Sequence, residues 1–189
     1  SLRERITVSE KDAGLYDAMN KGIALATGDV IGILNSDDVY ANENVIDIIV
    51  NQMRSYEVDS IYGDLVYTDC EDLNNIRRYW KAGYFKRKSF LYGWMPPHPT
   101  FFVKKEIYTN CGLFNLTLST AADYEIMLRF LYKEEISTAY INEVLVKMRS
   151  GGKSNQNLKS RLNANVEDRL AWKLNGLKAL PFTHILKPV

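Results

Sequence analysis

The chain has 189 residues, 46% of them apolar, and 24 basic against 23 acidic side chains give a net charge of +1; this is enough for one domain with a sizeable core, and nothing in it reads as disordered. No apolar run approaches the roughly 18 residues of a membrane span and the opening SLRERITVSE has no apolar signal-peptide core, so a soluble cytoplasmic chain is expected. Neither an overall basic charge nor a binding-module signature is present, which argues against a nucleic-acid partner.

In chain order, ITVS at residues 6–9 reads as a short strand, and Asp12 as the N-cap of a helix with Leu15, Met19, Ile23 and Ala26 on one face, stopped by Gly28. The apolar run Val30 to Leu34 predicts a strand buried on both sides. Asn44 opens a second helix with Val45, Ile46, Ile49 and Met53 at helical spacing. SIYGDLVYTD and IRRYWK read as strands separated by the turn CEDLNN, and after the loop YGWMPPHPT come the strand TFFV and a helix through Ile107, ended at Gly112. Ala121 to Tyr132 predicts a helix with Tyr124, Met127, Leu128 and Leu131 facing inward. AYINEVLVKM is a strand, and Gln156 to Leu180 closes the chain with a stripe of Leu158, Leu162, Val166, Leu170 and Leu174. Residues 1–155 are expected to be the domain and 156–189 a helix and tail packed on it. Alternation of strand and helix in the first third argues for an α/β sheet, parallel there and antiparallel in the middle, with ligands outside the carboxyl ends of the strands.

Charge is unevenly spread. Residues 1–75 carry 15 acidic and 5 basic side chains, the remainder 8 and 19. Such halves suit an acidic cation-binding side and a basic side for phosphates or an anionic membrane, and equally two solvated faces that pair with each other. Cys70 and Cys111 are too few and too distant for a disulfide framework and read as buried thiols.

In VIGILNSDDVY, residues 30–40, an apolar run ends in Asp37 and Asp38. Adjacent aspartates at a strand end can make a turn or cap a helix; they are also the hard oxygen ligands that Mg2+ or Mn2+ takes when waters and phosphates fill its other positions.

The longer segment SEKDAGLYDAMNKGIALATGDVIGILNSDDVYAN resembles the middle of inverting glycosyltransferases of family 2, in which a helix with A-x-N-x-G-x-x-x-A-x-G leads into an apolar strand ending in a D-x-D motif. Ala18, Asn20, Gly22, Ala26 and Gly28 match that spacing, and the likeness continues through HPTFFVKK, AADYEIMLRF and YINEVLVKMRSGGKSN. The resemblance implies a GT-A type (Rossmann-like) fold, a three-layer αβα sandwich with a mixed sheet. It implies sugar transfer from a nucleotide-diphosphate donor to a glycan or lipid-linked acceptor, as in bacterial polysaccharide biosynthesis. Asp37 would then hold the divalent cation, Mn2+ or Mg2+. Asp38 would support it or touch the donor, with Asn20, Asn35, Lys153 and Ser154 also on the donor side. Asn35 stands where many relatives have Asp, so the first carboxylate of the motif is an amide here.

A sugar diphosphate leaves as an anion, so a single base suffices. By the resemblance it is Asp123, although a carboxylate at a helix N-terminus also complements the helix dipole. Ala122 stands where relatives often have Glu, and Glu125 is the reserve candidate, on the acceptor side. His98 in PPHPTFF suits a structural turn or a contact to acceptor or phosphate. GGKS at 151–154 lacks the earlier glycine of a nucleotidase P-loop. KAGYFKRKSFLYGW interleaves basic and aromatic residues, which suits an acceptor or membrane-surface loop or an ordinary partly exposed loop covering the sheet; the last helix, with Lys159, Arg161, Arg169, Lys173 and Lys178 about its apolar stripe, suits peripheral contact with the inner face of a membrane or packing onto the domain.

In the family two βα units ordinarily precede the segment that opens this chain, and their absence would expose a sheet edge and favour homo-oligomers. Two further readings stand beside sugar transfer: a sugar nucleotidyltransferase, and a non-catalytic sugar-nucleotide-binding fragment.

Overall fold

The computed structural model describes residues 6–150 and 158–183, with side chains from 165 onward in the second stretch. Residues 6–12 are irregular and exposed, so ITVS is not a strand. Helix α1 spans Leu15–Leu25 and starts at Gly14 (φ 143°), with the Asp17 carboxylate accepting the Ala13 N–H at 2.9 Å. Asp12 instead pairs with Lys21 at 2.8 Å. Tyr16 and Ile23 face inward while Leu15 is 62% exposed. The helix is therefore rotated from its expected setting, because a phenol whose hydroxyl finds a partner buries more area than leucine.

The remaining elements are β1 (Val30–Ile31), β2 (Val39–Tyr40), α2 (Val45–Tyr56), β3 (Ser60–Thr68), β4 (Ile76–Trp80), β5 (Phe102–Lys104), α3 (Lys105–Cys111), α4 (Ala122–Met127), β6 (Thr138–Arg149) and α5 (Leu158–Leu174). Short 3-10 turns occupy Arg87–Tyr92 and His98–Thr100, and α4 continues as a π-helical turn over Leu128–Lys133. The sheet order is β1-β5-β3-β6-β2, with β4 on β3. Among the described residues only β3 and β6 pair in parallel; β1 with β5, β5 with β3, β4 with β3 and β2 with β6 are antiparallel.

The parallel arrangement expected in the first third is thus corrected. Residues 32–38 are too short for the crossover that parallel neighbours need, and β1 and β2 go to opposite ends of the sheet against later strands. β1 is an end strand of two residues, not a central one, and Gly32 lets it close on its neighbour: a Cβ there would fall 2.2 Å from the Phe102 ring. By this topology β1, β3 and β6 run the same way, so their carboxyl ends share one rim.

α2 covers one face of the sheet with Val45, Ile49 and Met53 against Ile61, Leu65 and Val146. Each such burial contributes on the order of 1.5–3 kcal/mol before ordering entropy is charged. The opposite face carries the larger core, including Tyr16, Ile23, Tyr62, Phe90, Val103, Tyr124, Phe130 and Trp172. Neighbouring Ile61 and Tyr62 on β3 enter opposite cores, as the alternation of a strand requires.

α5 docks differently from its sequence pattern. Val166, Leu170 and Leu174 are 66%, 36% and 47% exposed, whereas Asp168, Ala171, Trp172 and Asn175 are buried. The Trp172 indole donates to the Tyr124 hydroxyl at 2.8 Å and the Asn175 amide to Glu125 at 2.9 Å. Polar anchors and one large ring, not the leucine stripe, select the inward face. Cys70 is exposed and Cys111 half-buried, so neither is the expected core thiol.

Candidate functional site

The acidic pair sits on the rim where β1, β3 and β6 end. Residues 35–38 form a turn closed by the Asp38 N–H on the Asn35 carbonyl at 3.2 Å, and the Asn35 side-chain amide donates to Asp38 Oδ2 at 3.0 Å. Arg149, the last residue of β6, donates its Nε to the Asp37 carbonyl at 3.1 Å and another guanidinium N–H to the Cys70 carbonyl. It ties this turn to the β3–β4 connection. Asp37 projects its carboxylate to solvent, while Asp38 is 5% exposed and its Oδ1 has no partner among the described residues.

Desolvation raises the Asp38 pKa above the ordinary aspartate range and the charge of Asp37 adds to this, against the Asn35 amide and the Arg149 backbone N–H. A buried unpartnered carboxyl oxygen beside an exposed carboxylate is a donor set that fits a hard divalent cation completed by waters and phosphates. Among the described residues no group of three or more His, Cys, Asp or Glu could hold a metal alone.

A second cluster forms around Asp123 in the first turn of α4. Its Oδ1 accepts the Tyr124 N–H at 2.8 Å and the Tyr16 hydroxyl at 3.3 Å. The Tyr16 ring stacks on Phe114 with centroids 5.5 Å apart, and His98 meets the same Phe114 edge-on at 5.8 Å. Burial, with the charge of Asp123 behind it, pushes the Tyr16 phenol far above its usual range. Burial holds the His98 imidazole below its usual pKa, with Asp123 opposing. Asn20 lies on the same helix as Tyr16, but both ends of its amide are taken by the backbone of Phe114: Nδ2 donates to the carbonyl and Oδ1 accepts the N–H, each at 2.9 Å. Asn20 therefore supports Phe114 through both ends of its amide.

Glu125 is likewise accounted for. It is 3% exposed, its two oxygens meet Arg129 Nε at 3.0 Å and Nη2 at 2.9 Å, and Oε1 also accepts from Asn175. Two residues after Asp123 the helix points it into the core, where both carboxylate oxygens are engaged. Lys153 and Ser154 lie outside the described residues.

A groove lined by Met19, Ile23, Ile33 and Leu34 lies between α1 and the segment that leads into the Asn35–Asp38 turn. Sequence reasoning missed Tyr16 and Phe114, and also Asp64. Asp64 is fully buried mid-strand and accepts from the hydroxyls of Tyr79 and Tyr140 at 2.7 Å each and from the Ala82 N–H at 2.9 Å. With Tyr62 donating to the Gly83 carbonyl at 2.7 Å, it anchors the start of the basic and aromatic loop. An acid inside the apolar run SIYGDLVY was the signal available for it.

The fold and site define a mixed-sheet α/β protein with an acidic turn at the strand ends and a carboxylate in the first turn of α4. Residues 2–111 match the family description "Glycosyl transferase family 2", and the chain belongs to that family. Among curated relatives it is 28% identical over 158 residues to a PGL/p-HBAD biosynthesis glycosyltransferase of Mycobacterium bovis, covering 82% of this chain and 59% of the relative. It is 32% identical over 123 residues to an uncharacterized glycosyltransferase of Mycobacterium tuberculosis, 64% of this chain and 45% of the relative. The chain thus spans about three-fifths of the first of these relatives. Among solved structures, S. aureus TarS 1-349 in complex with UDP-GlcNAc superposes with a TM-score of 0.58 at 11% identity, over 89% of this chain and 52% of that one. TarS 1-349 alone gives 0.53 at 12% identity, over 84% and 45%. The fold is GT-A.

Proposed function

We propose that this chain carries the metal-facing and base-bearing part of a glycosyltransferase that moves a sugar, with inversion, from a nucleotide-diphosphate donor to a hydroxyl of a glycan or lipid-linked acceptor. The observation that carries the reading is Asp123, fixed at the head of α4 by the Tyr124 N–H and the Tyr16 hydroxyl in a family 2 chain. Its second oxygen takes no part in those two bonds and can accept a proton. As the acceptor oxygen bonds to the anomeric carbon, its proton passes to Asp123, and the bond from that carbon to the diphosphate oxygen breaks with its electron pair on the leaving diphosphate. A single displacement of this kind inverts the anomeric centre.

Asp37 and the unpartnered Oδ1 of Asp38 would hold Mn2+ or Mg2+, which when bound supplies positive charge opposite the diphosphate. Arg149 keeps the turn in place through the Asp37 carbonyl. His98, held neutral by burial, lines the Asp123 side and can hydrogen-bond an acceptor hydroxyl. That TarS was solved with UDP-GlcNAc supports a sugar nucleotide as the class of donor.

The test is turnover by the full-length protein and its Asp37→Ala and Asp123→Asn versions. Released nucleoside diphosphate, lost in both variants, is the expected result; normal turnover in either removes that residue from its role. Released pyrophosphate would instead point to nucleotidyl transfer, and donor binding without turnover to a binding module.

A further inference from the structure

We infer that the surface made by Tyr92, Phe182, Lys86, Lys88 and Lys178 docks this chain on an anionic membrane surface. The fold brings two remote segments together there. The rings of Tyr92, from the 3-10 turn after β4, and Phe182, beyond α5, lie 6.3 Å apart at 34°, yet remain 58% and 43% exposed. Their pairing is built in: the buried Thr183 hydroxyl donates to the Leu91 carbonyl at 2.6 Å and accepts the Leu180 N–H at 3.0 Å. The aromatic pair is thus held at the surface, where it leaves apolar area in water.

The charged residues of the two segments that form it are of one sign. Residues 81–95 and 176–183 contain Lys81, Lys86, Arg87, Lys88 and Lys178 and no acidic residue. Lys86, Lys88 and Lys178 are exposed and make no ion pair among the described residues. Arg87 is already engaged, pairing with Glu135 at 3.1 Å and lying over the Tyr132 ring at 4.6 Å. Uncompensated ammonium groups flanking exposed rings complement anionic headgroups and the interfacial zone beneath them. A second copy of the chain would present the same cations to them and be repelled.

The patch also has an inner side. Phe90, on the same turn, packs against Tyr124 with centroids 6.2 Å apart, and Tyr124 follows Asp123. Docking therefore sets α4 close to the bilayer. That this suits a lipid-linked acceptor rests on the proposed function; the docking itself does not.

The experiment is flotation of the chain with phosphatidylcholine vesicles and with vesicles also containing phosphatidylglycerol, at low and physiological salt. Binding to the anionic vesicles alone, weakened by salt, is expected. At about fivefold per lysine near the surface, Lys86→Gln with Lys88→Gln should lower partitioning about 25-fold. Tyr92→Ala with Phe182→Ala should remove the binding that persists in salt. Arg54→Gln, on α2 across the sheet, should change it by no more than a surface charge far from the lipid would. Because all these side chains are exposed, circular dichroism should show every variant folded. Absence of flotation, equal flotation by the lysine variants, a loss in Arg54→Gln as large as theirs, or a dimer in sedimentation velocity that needs Tyr92 and Phe182 would each overturn the inference.

Discussion

The Tyr16 hydroxyl and Asp123 Oδ1 lie 3.3 Å apart, joining α1 to the head of α4 through a phenol whose pKa burial raises far above its usual range. Tyr16 stands on Phe114, and Phe114 stands on Asn20 through two backbone hydrogen bonds of 2.9 Å. Removing the base of this stack should cost more than removing its tip. Asn20→Ala leaves an N–H and a carbonyl of Phe114 without partners and should lower stability by roughly 2–3 kcal/mol in urea unfolding. Tyr16→Phe should cost only about 1 kcal/mol, and in the full-length protein it should lower turnover while leaving donor affinity unchanged. An Asn20→Ala chain of full stability with weakened nucleotide binding would return Asn20 to the donor side.

Glu125 and Arg129 give the converse contrast. Their side chains are 4% and 13% exposed and meet at 2.9 Å in an i,i+4 pair inside the helix that carries Asp123. Breaking a buried pair leaves the remaining charge uncompensated, so Arg129→Met should cost about 3–5 kcal/mol. Glu125→Gln should be milder, because an amide oxygen can still accept from Arg129 and Asn175. The expected measurements are a lowered denaturation midpoint for both, with catalytic loss in Glu125→Gln no larger than its stability loss explains. A stable but inactive Glu125→Gln enzyme would make Glu125 the base.

Periodicity located α2, β3, β4, α4 and β6 because each is long or strongly patterned, and the family resemblance points to Asp37, Asp38 and Asp123 as site residues. It did not yield strand pairing, which depends on residues far apart: β1 and β2 find β5 and β6, and no local pattern encodes that. Nor did it yield the rotation of α1 or α5. In both helices a polar-tipped ring, Tyr16 or Trp172, outcompetes leucine for the interior because its hydrogen-bond partner, Asp123 or Tyr124, waits there. Asn20 fitted a family pattern whose spacing gave no sign that its amide is used up by the loop at Phe114.

Glu167 links α5 to the same helix head. Its carboxylate accepts N–H groups of Ser119, Thr120 and Ala121 at 2.7–3.0 Å and the hydroxyls of Ser119 and Thr120, serving as a cap supplied from a distant element. Desolvation opposes its ionisation, but the hydroxyl and backbone donors outweigh it and bring its pKa from 4.5 down to about 2. A carboxylate with a depressed folded pKa contributes stability that is fully present above about pH 4.5 and lost as pH falls toward 2. Glu167→Gln should cost roughly 1–2 kcal/mol at neutral pH and flatten the stability profile in that window. An unchanged acid limb in the variant would show that the cap does not couple to folding.

Asn35 donates to Asp38 Oδ2 at 3.0 Å, and that bond is what an aspartate at this position would reverse. Asn35→Asp exchanges a donor for a second acceptor beside a carboxyl whose pKa burial and Asp37 have already raised. Three acidic groups would then share one turn. At neutral pH and without divalent cations the variant should lose about 1–3 kcal/mol of stability. The loss should shrink as pH falls through the raised Asp38 pKa, because a proton shared between neighbouring carboxyls relieves their repulsion. A cation relieves it in the same way, so Mn2+ or Mg2+ should raise the melting temperature of the variant more than that of the parent, by linkage to the folded state. Asp37→Ala should abolish that gain in both backgrounds. If the cation raises neither melting temperature, the acidic turn is a structural feature of the rim; if it raises both and Asp37→Ala makes no difference, the binding residues lie elsewhere.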